Sequence, residues 1–247
     1  MEFHVLNGMC LYDHFPTHIT GEKIVMNEAL LNGPLGGNLS LEAFWQIRAD
    51  FWKVSISDYK EKTVAPIRKL FHAKKEDTLI FWFGNDLFCQ INCWFLLYLI
   101  HEHKIESKIG MLYPPVAHNG ETFGHYPVTF LENSCFQPVF LKEEEIKMVL
   151  TLWHLCKNAD IEGLRNLKVM DTPGFPSVKD SIQMWISLFP EEGKGIAQLK
   201  VEELMHRGID NFPELFKAFS DFFPNLGMGD NQVFTYYRSY MDKINNK

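Results

Sequence analysis

The sequence has little clustered positive charge. Its 24 Lys and Arg are outnumbered by 31 Asp and Glu, for a net charge of −7. No strongly basic block interrupts that balance, which disfavours nucleic-acid binding, because phosphate neutralisation needs grouped cations. Two common devices for nucleotides are also missing. Asn7-Gly8 after the first apolar run belongs neither to a G-x-G-x-x-G fingerprint nor to a P-loop. A G-x-S-x-G elbow is absent too, which removes the usual serine-hydrolase signal.

Cysteine is sparse. The five residues (Cys10, Cys89, Cys93, Cys135, Cys156) are scattered and odd in number. With no disulfide framework and no signal-type leader, a reducing cytoplasm is expected. Cys89 and Cys93 lie four apart with no second pair to complete a zinc set, so they read as buried thiols. His118 and His125 flank "HNGETFGH" without a third ligand, and no metal is expected there; His101 and His103 read as the edge of a surface helix. The longest apolar stretch, Leu79 to Ile100, carries Asn85, Asp86, Gln90 and Asn92. A carboxylate at bilayer depth costs about 2.5 kcal/mol or more, so this stretch is not a membrane span. Internal repeats and low-complexity tracts are absent, and no cofactor is indicated.

What remains is a globular composition, 46% hydrophobic and rich in Phe (21) and Trp (6), over 247 residues. A chain of that length buries about three quarters of its unfolded surface. "FHVLNG" reads as a strand ending at a turn, and "KIVMNEALLNGP" as a strand followed by a turn at Asn32-Gly33-Pro34. "LSLEAFWQIRADFW" places Leu41, Phe44, Trp45, Arg48, Phe51 and Trp52 at helical spacing behind an N-cap at Ser40. "SDYKEKTVAPIRKLFH" is a second helical stretch broken or restarted at Pro66. "TLIFWF" is a strand of the kind buried on both faces, a helix follows from Asp86, and "KIGMLYPP" supplies the next strand. The order β-α-β-α-α-β-α-β predicts an α/β fold, Rossmann-like and doubly wound, with a mostly parallel sheet over residues 1–115. Residues 116–140 read as a structured connecting loop, unusually long for a connection. Residues 141–247 read as an all-helical domain packed on the sheet. Its first helix, "KEEEIKMVLTLWHLCKNA", points Ile146, Val149, Leu150, Trp153, Leu155 and Cys156 inward. Further helices are expected near 178–189, 197–206, 212–222 and 232–244.

Ligands of open α/β sheets bind beyond the carboxyl ends of the strands, and the residues following each strand are therefore the candidates. Asn7 and Gly8 follow the first, Glu28 and then Gly33 the second, and Asp86 and Gln90 the third. Glu28 and Asp86 are the catalytic candidates, a carboxylate pair able to act as base or to orient a substrate. Asn7, Gly8, Gly33, Arg48 and Gln90 are the ligand-binding candidates. Arg48, on an apolar helix face, needs either Glu28 or Asp86 as partner or an anionic ligand. Asp86 also suits the N-cap of the helix from Leu87. "GPLGG" (Gly33 to Gly37) suits a plain turn better than an anion cradle.

With these motifs in view, the chain resembles a bacterial family catalogued as domain of unknown function 1835. The resemblance rests on "HVLNG", "NEALLNGP", "FWQIRADF", "LIFWFGNDLFCQINCWFLL", Trp153, "SLFPEEGKGI" and "VEEL", and spans nearly the whole chain. It implies no activity, since that family has none assigned. Members usually carry an acid after the glycine of the first motif, where this chain has Met9. If that acid is catalytic in relatives, the resemblance implies binding without turnover here.

The expected function is binding of, or action on, a small polar or anionic substrate at the C-terminal edge of the sheet. The alternative is a non-enzymatic interaction or regulatory protein whose C-terminal helices form a helix-turn-helix-like module. From Pro173 onward that module carries eight Lys or Arg and ten Asp or Glu, and so lacks a DNA footprint.

Overall fold

The computed structural model describes residues 1–114, 122–133 and 136–245. Four parallel strands form the sheet: β1 (Glu2–Asn7), β2 (Glu22–Met26), β3 (Thr78–Trp82) and β4 (Lys108–Leu112). A short fifth strand, β5 (Val139–Phe140), joins antiparallel to β4, giving the order β2-β1-β3-β4-β5. Because successive strand residues face opposite ways, Phe3, Val5, Leu79, Phe81, Ile109 and Met111 enter one apolar cluster. Leu6, Ile80, Trp82 and Leu112 enter another. Both faces are thus covered, which is why "TLIFWF" is apolar without alternation.

The two faces are covered unequally. On the Leu6 side lie the short helix α1 (Met9–Asp13), the loop residue Phe15, a 3-10 turn at Phe123–His125, and α6 (Val128–Asn133). On the opposite side lie α2 (Leu41–Trp52) and a helical stretch from Ile56 to His72. That stretch comprises α3 (Ile56–Tyr59), a π-helical turn at Lys60–Val64, α4 (Ala65–Arg68) and a 3-10 turn. Pro66 is the physical reason for the π-turn. Proline has no N–H to give to the carbonyl four residues back, and its ring crowds that carbonyl. Here that carbonyl, of Lys62, turns instead to Asn27 Nδ2 at 3.4 Å.

The long helix α5 (Leu87–Glu102) connects β3 to β4 and is buried nearly all round. One side meets the sheet. The other meets the C-terminal helices, chiefly α7 (Glu143–Lys157) and α9 (Val178–Leu188). A helix apolar on every face belongs in an interior, so the apolar run divides into a buried strand and a buried helix. Among the described residues, no helix is long and apolar enough to cross a membrane.

Helices α8 (Ile161–Asn166), α10 (Ile196–His206), α11 (Phe212–Phe222) and α12 (Asp230–Asn245) complete the helical C-terminal part. Three expectations need correction. The stretch read as connecting loop holds helix α6 and leads straight into β5, and both were hidden because short elements carry too little period to detect. Helix α8 was also missed. On α7 the deeply buried leucine is Leu152, while Leu150 is half-buried, so the inward stripe is rotated slightly from the one expected. His118 and Cys135 lie outside the described residues. His101 and His103 are exposed on the last turn of α5 and its cap, but the helix they end is a buried one rather than the surface helix expected.

Trp153 of α7 packs its ring 5.1 Å from Phe95 of α5 and is 2% exposed. Its indole N–H has no hydrogen-bond partner among the described residues. Trp153→Ala is expected to lower unfolding free energy by about 3–5 kcal/mol in denaturant titrations. Trp153→Phe should cost clearly less, because it removes the orphan N–H while filling much of the space.

Candidate functional site

Ordering of the β2 end starts at Glu28, two residues past the strand. Its carboxylate accepts from Arg48 Nη2 at 2.6 Å, Arg48 Nε at 3.2 Å, Trp52 Nε1 at 2.8 Å and the Ala29 N–H at 2.8 Å. The Tyr59 hydroxyl donates as well. Arg48 and Trp52 are one turn apart on α2, and Tyr59 comes from α3, so two helices converge on one carboxylate. Arg48 is itself wholly buried. Its remaining donors go to the carbonyls of Ala29 at 3.0 Å, Asn32, and Pro34 at 3.4 Å. Of the two partners the sequence offered, Glu28 is the one Arg48 takes. No donor of Arg48 is left over for an anion.

The ionisation follows from these contacts. Burial works to raise the Glu28 pKa, but the Arg48 hydrogen bonds and charge, with Tyr59 and Ala29, outweigh it and hold the carboxyl below its ordinary value. Tyr59 is pushed up by burial and by the Glu28 charge, so it remains a hydroxyl donor. A carboxylate with five donors on it and a lowered pKa is poorly suited to accept a substrate proton.

A second buried residue ties the strand ends together. Asn92, wholly buried on α5, donates to Asn7 Oδ1 at 3.0 Å and to the Glu28 carbonyl at 2.8 Å, and accepts from the Leu30 N–H at 3.2 Å. Asn7 in turn donates to Cys89 Sγ at 2.9 Å. Burial first, and then the nearby Asp86 charge, raises the Cys89 pKa, so this thiol stays protonated.

Asp86 occupies the N-cap of α5, where Oδ1 accepts from the Cys89 N–H at 2.9 Å. Gly227, in the left-handed region with φ 65, lies directly over that carboxylate, and a Cβ there would collide with it. The C-terminal part therefore sits down on the sheet edge at this point. Gln90 Nε2 donates to the Gly84 carbonyl at 2.8 Å and fixes the turn after β3. From the far end of the chain, Gln232 Nε2 donates to Asn32 Oδ1 at 2.6 Å.

Two adjoining cavities open over this framework. The first, of about 420 Å³, is lined by Gly8, Met26, Asn27, Glu28, Ala29, Trp52, Val54, Asp58, Tyr59, Lys62, Thr63 and Phe88. The second, of about 690 Å³, shares Ala29, Trp52 and Phe88 with it and continues past Asn7, Cys10 and Cys89 to Phe216, Phe223 and Gln232. Their walls come from the ends of β1 and β2, the start of α5, α2 and α3, and the C-terminal helices.

Of the residues singled out from sequence, Asn7, Gly8 and Glu28 line this cleft. Arg48, Asp86 and Gln90 lie behind it as buried supports, each committed to protein partners. Gly33 stands elsewhere, with φ 79 and the Phe51 ring seated on it. Glu28 is held by Arg48, Trp52, Tyr59 and Ala29, whereas Asp86 Oδ1 takes the Cys89 N–H. Missing from the sequence-derived set were Asn92, Tyr59, Trp52, Thr63, Phe88 and Gln232. Asn92 gave the same signal as Gln90, an amide in an apolar helix. Gln232 gave none, because its partner is two hundred residues away. Among the described residues, no cluster of three or more His, Cys, Asp or Glu could hold a metal ion.

Compared with known proteins, the chain matches no family model, no curated protein and no solved structure.

Breaking the buried pair leaves an uncompensated guanidinium, so Glu28→Gln should cost about 3–5 kcal/mol in equilibrium unfolding. Because the folded pKa of Glu28 lies below 4.5, its stabilisation is full above that pH and is lost as pH falls through the folded value. The variant should therefore show a shallower acid-side decline in stability than the parent. Gly227→Ala should cost more than the roughly 1–2 kcal/mol of a left-handed alanine alone, because it also displaces Asp86; thermal unfolding measures both.

Proposed function

We propose that this protein binds a small organic ligand, largely apolar with a few polar groups, in the cleft over the C-terminal ends of β1 and β2. The observation that carries this reading is the pair of adjoining cavities at that edge, resting on Glu28, Arg48 and Asn92, which are held by protein partners. A pocket of a few hundred cubic ångströms with aromatic walls and a few polar groups has the make-up of a small-molecule site. The strand order supports the same reading. Order 2-1-3-4 reverses direction between β1 and β3, with the β1–β2 connection on one face and the β2–β3 and β3–β4 connections on the other. Doubly wound, Rossmann-like sheets bind their ligands at such a reversal, and we assign this chain to that architecture and to the resemblance with domain of unknown function 1835.

In this reading Asn7, Gly8, Ala29, Trp52, Thr63 and Phe88 face the ligand, while Glu28, Arg48, Asp86, Gln90 and Asn92 position them. Binding without chemistry at Glu28 accords with its saturated, ionised carboxylate. The anionic-ligand part of the expectation loses its support, since Arg48 has nothing left to donate. The helix-turn-helix alternative gains none: Lys194, Lys200, Arg207 and Lys217 of that module are each committed to an acidic neighbour.

A thermal-shift screen against a panel of cellular metabolites tests the proposal, run on the parent and on Ala29→Phe, which fills the junction of the two cavities. The parent should be stabilised by at least one compound class, and the variant should lose that response while unfolding at a similar temperature without ligand. A silent panel, or a response that survives the substitution, would sink it.

A further inference from the structure

The smaller cavity carries a charge arrangement that the framework does not use. Asp58 and Lys62 both line it. They stand four residues apart on the same helical stretch, a spacing at which opposite charges normally pair. Elsewhere in this chain they do so: Glu143–Lys147, Glu203–Arg207 and Lys217–Asp221 are all ion pairs at that spacing. Asp58 and Lys62 form no ion pair with each other or with any described residue. The π-helical turn at Lys60–Val64 begins between them, so the regular α-helical spacing is interrupted there.

The turn is held in that form from two sides. Pro66 demands it, and Asn27 grips it, accepting the Thr63 hydroxyl at its carbonyl (3.2 Å) and donating to the Lys62 carbonyl. Asp58 is oriented too, one carboxylate oxygen taking the Ser55 hydroxyl at 2.6 Å. Its other oxygen and the Lys62 ammonium have no partner among the described residues. Trp52, Val54 and Phe88 line the same cavity. Four residues of helix place the two backbone positions roughly 6 Å apart along the axis, on the scale of a single amino acid.

We infer that this cavity takes a small zwitterion with an apolar or aromatic body, of the aromatic amino-acid class. Its ammonium meets Asp58, its carboxylate meets Lys62, and its side chain lies on Trp52 and Phe88. The inference rests on the binding function proposed above and specifies the ligand class for it.

Isothermal titration calorimetry on the full chain tests the assignment with L-tryptophan and L-phenylalanine. The comparison compounds are 2-phenylethylamine, which lacks the carboxylate, and 3-phenylpropanoate, which lacks the ammonium. At least one zwitterion should bind, and deleting either of its charges should weaken binding roughly tenfold or more. Asp58→Asn should weaken the zwitterion and the amine while sparing the acid. Lys62→Met should weaken the zwitterion and the acid while sparing the amine. Both positions are exposed, and an unchanged unfolding temperature will show that the fold is kept. Equal binding of the one-charge analogues, or indifference to both substitutions, overturns the assignment. If no zwitterion binds while the metabolite panel still gives a response abolished by Ala29→Phe, the zwitterion assignment fails and the binding function stands. If both are silent, both fail.

Discussion

Helix α5 has almost no surface to give to water, and the rest of the molecule is arranged around that constraint. From Leu87 to Ile100 no residue is exposed, and only Phe88 and Tyr98 are half-buried. The sheet covers one side and the C-terminal helices the other. Carboxylate and amide side chains on such a helix are pressed to find partners inside the protein, because an unsatisfied buried group costs about 1–3 kcal/mol; the Trp94 indole N–H has none among the described residues. Asp86, Gln90 and Asn92 meet that demand in three ways. One caps the helix, one ties down the turn after β3, and one bridges the ends of β1 and β2. The packing demand of one helix therefore also organises the edge of the sheet.

The Glu28–Arg48 pair extends this organisation outward. A buried ion pair contributes little net stability, because desolvation offsets most of the attraction. What it supplies is geometry. Five donors on one carboxylate, and three carbonyls on one guanidinium, fix the β2 end against α2 and α3. Trp52 and Tyr59 thereby acquire set positions at the cleft wall. The same contacts that would disqualify Glu28 as a base make it a firm support. The cleft itself opens where this rigid framework meets the C-terminal part, whose Gly227 and Gln232 press on the Asp86 cap and on Asn32.

Much of this was legible along the chain. Strands β1 to β4 announced themselves as short apolar runs closed by turn residues, and the parallel arrangement followed from the intervening helices. Ser40 and Asp86 were readable as caps because capping is local: the side chain answers an N–H three residues on. The pairing of Arg48 with Glu28 was one of two or three options, since a buried guanidinium must have an acid but spacing alone does not choose it. Helix α6 and strand β5 escaped because six and two residues carry too little periodicity. The π-turn before Pro66 was visible only as a break, because a proline says that the α-helical register must yield without saying how.

Residue order, then, determined the elements, their caps, the burial of α5 and the edge of the sheet on which polar residues collect. These depend on periodicity and on contacts within a few positions, which the chain carries locally. Tertiary structure decided which polar residues face open space and which lie sealed behind it. Glu28, Arg48, Asp86 and Gln90 are of the types that sites use, yet most became scaffolding. Asp58, Lys62, Phe88 and Trp52, unremarkable in sequence, line the cavity. That sorting depends on how distant segments stack, because burial and exposure belong to the assembled surface rather than to any stretch of it.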